Sequence, residues 1–119
     1  MLKNILLVAF GGALGSTLRY LISLIFISKK FPFSTLTVNI VGSFLIGLLI
    51  AYSLKNSVSS YWQTILVVGF CGGFTTFSAF SWDVISMLQN GRYSIAFIYV
   101  LAMLIISILF TFIGFNLIK

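Results

Sequence analysis

The sequence predicts an all-α integral membrane protein of four transmembrane helices, the third of them broken in mid-membrane. Three observations lead there. Of the 119 residues, 61% are hydrophobic and only 7% charged, and the mean hydropathy of +1.20 lies far above that of water-soluble domains. The apolar residues fall into four long runs divided by short polar connections, each run long enough to supply the roughly 20 residues a helix needs to cross the hydrocarbon core. The third run carries glycines and hydroxyl residues at its centre, where a regular lipid-facing helix has no use for them.

The first span covers about residues 4–27. Ser28-Lys29-Lys30-Phe31-Pro32 ends it, because two charges stop the hydrophobic run and a proline stops the helix. The start Met1-Leu2-Lys3 before an apolar run resembles a signal peptide, but the run continues past Tyr20 with Arg19 inside it and has no clear cleavage site. It reads as a retained first helix. The second span covers about 34–54, and Lys55-Asn56-Ser57-Val58-Ser59-Ser60 makes a short polar turn at the membrane surface. The third, about 62–88, is too long and too interrupted for one regular helix, with Gly69, Gly72, Gly73, Thr75, Thr76 and Ser78 crowding its middle. Asn90-Gly91-Arg92 is a turn signal, and the last span covers about 94–117. The four spans use the chain up as one domain, 1–119.

Charge excludes several function classes. The net charge of +6 comes from seven Lys and Arg against one acid, yet Lys3, Lys29, Lys30, Lys55, Arg92 and Lys119 flank the apolar runs, as basic residues do beside membrane spans. No basic face for nucleic acid is formed. With no His and single copies of Cys and Asp, there is neither an intramolecular disulfide, nor a zinc ligand set, nor a nucleophile with its base. Four spans place both termini on one side, so Lys3, Lys55 and Lys119 face Lys29, Lys30 and Arg92 across the bilayer, three against three. The positive-inside rule then has nothing to act on. Such a chain inserts in both orientations and is suited to an antiparallel pair, two copies building the inverted symmetry that larger transporters carry in one chain.

Several residues are costly unless they serve a purpose. Small residues four apart, Gly11 and Gly15, Ser43 and Gly47, Gly69 and Gly73, allow close helix packing. Arg19 costs about 2.5 to 3.5 kcal/mol inside a span unless it finds water, a partner or the protein interior. Two readings stand, and they are compatible: attraction of anions into a vestibule, and either snorkelling to the interface or pairing with Asp83. Asn39 needs an acceptor for its NH2 group, which a desolvated anion or a neighbouring helix supplies. The stretch Gly72-Gly73-Phe74-Thr75-Thr76-Phe77-Ser78-Ala79-Phe80 joins a helix break to hydroxyls, and a break at membrane depth is tolerated only where it is buried or lines a cavity. Phe77 and Phe80 share one face of the resumed helix, as core packing or as positive ring edges towards an anion. Tyr99, Ser107 and Thr111 line up on the last helix as a row of hydroxyls interrupted by Met103. Donors and positive edges without a carboxylate make an interior for an anion. The lone acid, Asp83, lies towards the end of the third span.

At these motifs the sequence resembles the Fluc family of fluoride channels, also called CrcB proteins. The family's GGxxG with a following arginine, its TLxVN stretch and its GGxTTFSxF core stand here as Gly11-Gly12-Ala13-Leu14-Gly15 with Arg19, Thr35-Leu36-Thr37-Val38-Asn39, and Gly72-Gly73-Phe74-Thr75-Thr76-Phe77-Ser78-Ala79-Phe80. The resemblance runs from end to end. It implies an antiparallel dual-topology homodimer in the cell (inner) membrane, with two pores that export fluoride passively from the cytoplasm and so lower its toxicity. It also implies a structural sodium ion at the dimer centre, held by the backbone carbonyls of Gly72 and Thr75. Phe77 and Phe80 then form an aromatic box, Asn39 is a pore donor, and Tyr99 and Ser107 belong to a polar track. Two positions depart from the pattern: Met103 stands where several relatives have serine, and Asp83 where they usually have glutamate.

Two other readings compete. A proton-coupled exporter resembling the small multidrug transporters needs a glutamate in its first helix, and this chain has none. A non-conducting assembly subunit explains the glycines and aromatics but leaves the polar residues of the last three spans without a purpose.

Overall fold

The computed structural model describes residues 1–26 and 31–118; Lys29, Lys30 and Lys119, which carry part of the loop charge, lie outside them. Six α-helices occur among the described residues, with one π-helical segment: α1 (Leu2–Ile25), α2 (Phe33–Asn56), α3 (Ser60–Gln63), the π-helical segment Thr64–Cys71, α4 (Gly72–Phe74), α5 (Phe77–Gln89) and α6 (Tyr93–Leu117). They make four spans by length and composition, the third running from Ser60 to Gln89 with an interruption at Thr75 and Thr76. The four helical spans run Leu2–Ile25, Phe33–Asn56, Ser60–Gln89 and Tyr93–Leu117. α1 ends at Ile25, and Ile27, the expected end of that span, lies outside the described residues.

The break in the third span falls at its two threonines. Gly69, Gly72 and Gly73 remain helical; Gly69 and Gly73 are pressed onto α1, whereas Gly72 has open space where a Cβ would stand. A Cβ added to Gly73 would lie 2.7 Å from Gly12 O, and one added to Gly15 would lie 2.8 Å from Phe74 N and closer still to Phe70 O. Gly11 is pressed in the same way onto Ile65 O and Phe70 N. The register rises together on both sides, so α1 lies parallel to residues 60–74 and their backbones touch. Helices in lipid gain no hydrophobic drive from association, and close approach of small residues supplies the contact energy instead. Together with α4, the π-helical segment forms the third span's side of this seam. Such segments are rare and tend to mark functional regions.

A second close crossing joins α2 to α6. Gly47 sits against Thr111 O with Phe115 N beside it, and Gly114 sits reciprocally against Phe44 O and Leu48 N. Of the pair Ser43 and Gly47, then, only Gly47 packs in this way, and its partner Gly114 stood outside any four-residue motif. α5 folds back onto α6 through a core of Phe80, Met87, Ala96, Tyr99 and Met103. The turn between them is closed by two bonds: Arg92 N–H donates to Met87 O at 2.9 Å and Gly91 N–H to Leu88 O at 3.1 Å. This is the six-to-one and five-to-two pattern that ends helices on a left-handed residue, and Gly91 supplies it with φ of 72°. Large apolar side chains such as Phe97, Ile105, Ile108 and Phe112 are exposed along α6, as expected where the solvent is lipid.

The α1 seam has room for a methyl at one glycine and none at the next. Gly15→Ala is expected to cost about 1–3 kcal/mol through overpacking and to lower the thermal unfolding midpoint in detergent. Gly12→Ala, whose added Cβ would lie 3.8 Å from Gly69 O, should leave the midpoint nearly unchanged.

Candidate functional site

Thr75 and Thr76 are both extended, with φ, ψ of −85°, 156° and −151°, 122°. Peptide groups therefore leave the helical ladder at a depth where no water takes their place. Most of them find partners. The Thr75 N–H and its Oγ1 hydroxyl both donate to Cys71 O, at 3.0 and 2.9 Å. Thr76 Oγ1 accepts from the Ala79 N–H at 3.1 Å and so caps α5. The backbone of Thr76 is held from across the bundle: Asn39 Nδ2 donates to Thr76 O at 3.0 Å, and the Thr76 N–H donates to Asn39 Oδ1 at 2.8 Å. One side chain thus replaces both bonds that a continuing helix would have given this residue.

On the α1 side, Arg19 Nε donates to Gly73 O at 3.1 Å, and Ser16 Oγ points at the same carbonyl from 3.4 Å. A cation beside the C-terminal end of a helix also complements its dipole. The carbonyls of Gly72 and Thr75 accept no hydrogen bond among the described residues.

A cavity of about 570 Å³ opens beside the break. α2 contributes Asn39 and Ser43; the third span contributes Cys71, Gly72, Thr75, Thr76, Phe77 and Phe80; α6 contributes Met103 and Ser107. Phe77 and Phe80 stand edge to face with centroids 5.5 Å apart and planes at 63°. Phe80 is buried, whereas Phe77 is 73% exposed on the open side. No carboxylate lines the cavity.

Six of the residues singled out in the sequence meet here: Asn39, Gly72, Thr75, Phe77, Phe80 and Ser107. Three do not reach the lining. Tyr99 is fully buried behind Phe80, with centroids 5.2 Å apart, and its hydroxyl donates to Asp83 Oδ2 at 2.9 Å. Thr111 lies one turn beyond Ser107 and donates its hydroxyl to Ser107 O at 3.1 Å. Arg19 serves the break from the α1 face. The structure thus gives Arg19 a backbone partner where the sequence left vestibule, interface and Asp83 open, and it gives Asp83 to Tyr99. Asp83 also lines a smaller cavity of about 330 Å³, together with Thr35, Ser86, Asn90 and Arg92.

Two residues of the site escaped the sequence reading. Thr76 was one hydroxyl among several, although threonine is a favoured N-cap residue wherever a helix starts again. Met103 read as an interruption of the hydroxyl row, yet its sulfur lies within reach of both Asn39 and Ser107.

Removing the Asn39 amide leaves the Thr76 N–H and C=O unpaired in an apolar setting, at about 1–3 kcal/mol for each group. Asn39→Leu, close in volume, is therefore expected to lower detergent stability more than Ser107→Ala, which removes one long contact to sulfur. Thermal unfolding of both variants beside the parent checks this.

The family model described as CrcB-like protein, Camphor Resistance (CrcB), matches residues 6–115. Among curated proteins, the chain is 47% identical over 115 residues to a fluoride-specific ion channel FluC of Agrobacterium fabrum, covering 93% of this chain and 92% of that protein. It is 43% identical over 117 residues to the FluC of Flavobacterium psychrophilum, covering 95% and 94%. It is 44% identical over 116 residues to that of Pyrococcus abyssi, covering 96% and 94%. With both the match to the family model and these relatives spanning nearly its whole length, the chain belongs to the CrcB-like family.

Proposed function

We propose that this multi-pass membrane protein is a fluoride-selective ion channel that lets fluoride leave the cytoplasm down its gradient and so limits its toxicity. One observation carries the reading: a cavity at the broken helix in which an amide, hydroxyls and two aromatic rings stand among aliphatic side chains such as Val68 and Leu104, with no carboxylate among them. The relatives named as fluoride-specific ion channels supply the identity of the anion. Fluoride is small and strongly hydrated, so a pore must replace its water with close donors. Asn39, Ser107 and the ring edges of Phe77 and Phe80 are such groups, and carbonyl or carboxylate oxygens in their place would repel it. The protein moves an ion and transforms no substrate.

The open side of the cavity argues for a second copy. Phe77 and the break would otherwise face lipid, and irregular backbone at membrane depth must be covered by protein or line a water-filled space. Balanced loop charges, three against three, favour an antiparallel homodimer of dual topology in the cell membrane, with two pores. Tyr99 then backs the inner ring and Thr111 stands one turn beyond Ser107, both outside the lining, and Arg19 sits at the vestibule side while holding Gly73 O. The carbonyls of Gly72 and Thr75 suit a sodium ion shared between the copies, since hard oxygen donors free of hydrogen bonds are what such a cation takes. When bound, the ion adds positive charge and joins the two chains.

Efflux from liposomes containing the purified protein, in sodium buffers, tests the reading. Fast fluoride efflux with little chloride efflux is expected. Phe80→Ile and Asn39→Asp should each lose roughly 10-fold or more, the equivalent of about 1.4 kcal/mol or one interaction with a charged partner. Absence of fluoride efflux from the parent protein would overturn the channel.

A further inference from the structure

Two donors of the cavity end on a sulfur atom. Asn39 Nδ2 lies 3.4 Å from Met103 Sδ, and Ser107 Oγ lies 3.7 Å from the same atom. The other N–H of Asn39 is committed to Thr76 O at 3.0 Å, so the one facing sulfur is the one available to anything passing through. A thioether is a weak acceptor. Hydrogen bonds to an ionised acceptor are roughly twice as strong as neutral ones. Met103 is 5% exposed and packs in one core with Phe80 and Tyr99, but its unbranched side chain has three rotatable bonds with which to move aside.

We propose that Met103 Sδ is the exchangeable stand-in for the permeating anion: it occupies the pore donors at rest and yields them when fluoride arrives. This rests on the channel function proposed above and adds a residue that sets how tightly the pore holds its ion. While the pore is empty, the sulfur keeps the Asn39 amide and the Ser107 hydroxyl oriented, so neither is left unpaired in the apolar bundle nor turned onto its own backbone. Because sulfur holds them weakly, the anion displaces it at small cost. Because sulfur competes at all, the anion is not trapped, and conduction needs a site that is both easily filled and easily left.

The proposal predicts an order. Met103→Leu keeps the volume and removes the acceptor; Met103→Gln keeps the length and supplies a strong one. In proteoliposomes at constant sodium, the half-saturating fluoride concentration should fall about 3–10-fold in Met103→Leu and rise by a similar factor in Met103→Gln, the range that one neutral hydrogen bond commands. In the Leu variant the maximal rate should fall as well, since release slows. A residue that only fills space would give Leu and Met the same half-saturation, and that result would overturn the proposal.

A second measurement is independent of flux. In nanodiscs, titration of the parent protein with sodium fluoride, and not with sodium chloride, should shift one of the two Asn39 side-chain amide protons. Met103→Leu should move that same proton in chloride buffer. If neither fluoride nor the substitution moves it, the exchange does not occur. Parent vesicles that pass no fluoride would sink the channel reading instead, and the amide protons would still decide the role of the sulfur.

Discussion

Everything in this molecule is arranged around the need to satisfy a broken helix in a medium without water. An unpaired peptide group in hydrocarbon costs several kcal/mol, and two consecutive extended residues expose more than one. Three elements converge on the interruption with a polar side chain each: Arg19 from α1 takes Gly73 O, Asn39 from α2 takes both polar groups of Thr76, and Thr76 itself caps the helix that follows. What stays outside these bonds is the carbonyls of Gly72 and Thr75, at residues that line the cavity, and one Asn39 amide hydrogen held only by a sulfur. The chemistry of the site is what remains after the fold has met its own requirements.

The glycine seams exist to make that arrangement reachable. Arg19 reaches a third-span carbonyl only because α1 lies with its backbone directly on residues 60–74, and a single methyl at Gly15 would push it away. In the same way, the contact between α2 and α6 at Gly47 and Gly114 fixes Asn39 and Met103 on facing walls. Behind the wall, Tyr99 uses its hydroxyl on Asp83 and its ring on Phe80. It thereby holds the inner ring of the pair in place while keeping the only acid of the chain out of the cavity lining.

Much of this was legible without coordinates, and the limits follow from physical causes. Hydrophobic runs report span number and position because bilayer thickness dictates helix length. Composition reported that the polar groups of the lining had to be other than carboxylates, because the chain has a single acid. The break was expected in the glycine-rich centre, but Gly69 and Gly73 proved to be packing residues and the bend fell on the threonines, whose hydroxyls replace lost backbone bonds. Tyr99, Met103, Ser107 and Thr111 share a helical face by periodicity, yet only Met103 and Ser107 line the cavity. A face is wider than a cavity, and neighbouring side chains decide which part of it stays open.

The sequence by itself determined the class of the protein: four spans, a helix that cannot run straight, an interior of donors and balanced charge at both surfaces. These are properties of composition and spacing, and a bilayer reads them one segment at a time. Tertiary structure alone decided which donor meets which acceptor. That Arg19 serves a carbonyl and that Asn39 divides its amide between Thr76 and a sulfur depend on the close approach of helices distant in sequence, and that Asp83 goes to Tyr99 depends on how α5 folds back onto α6. No local pattern encodes that approach, because it is set by where glycines on different helices happen to meet.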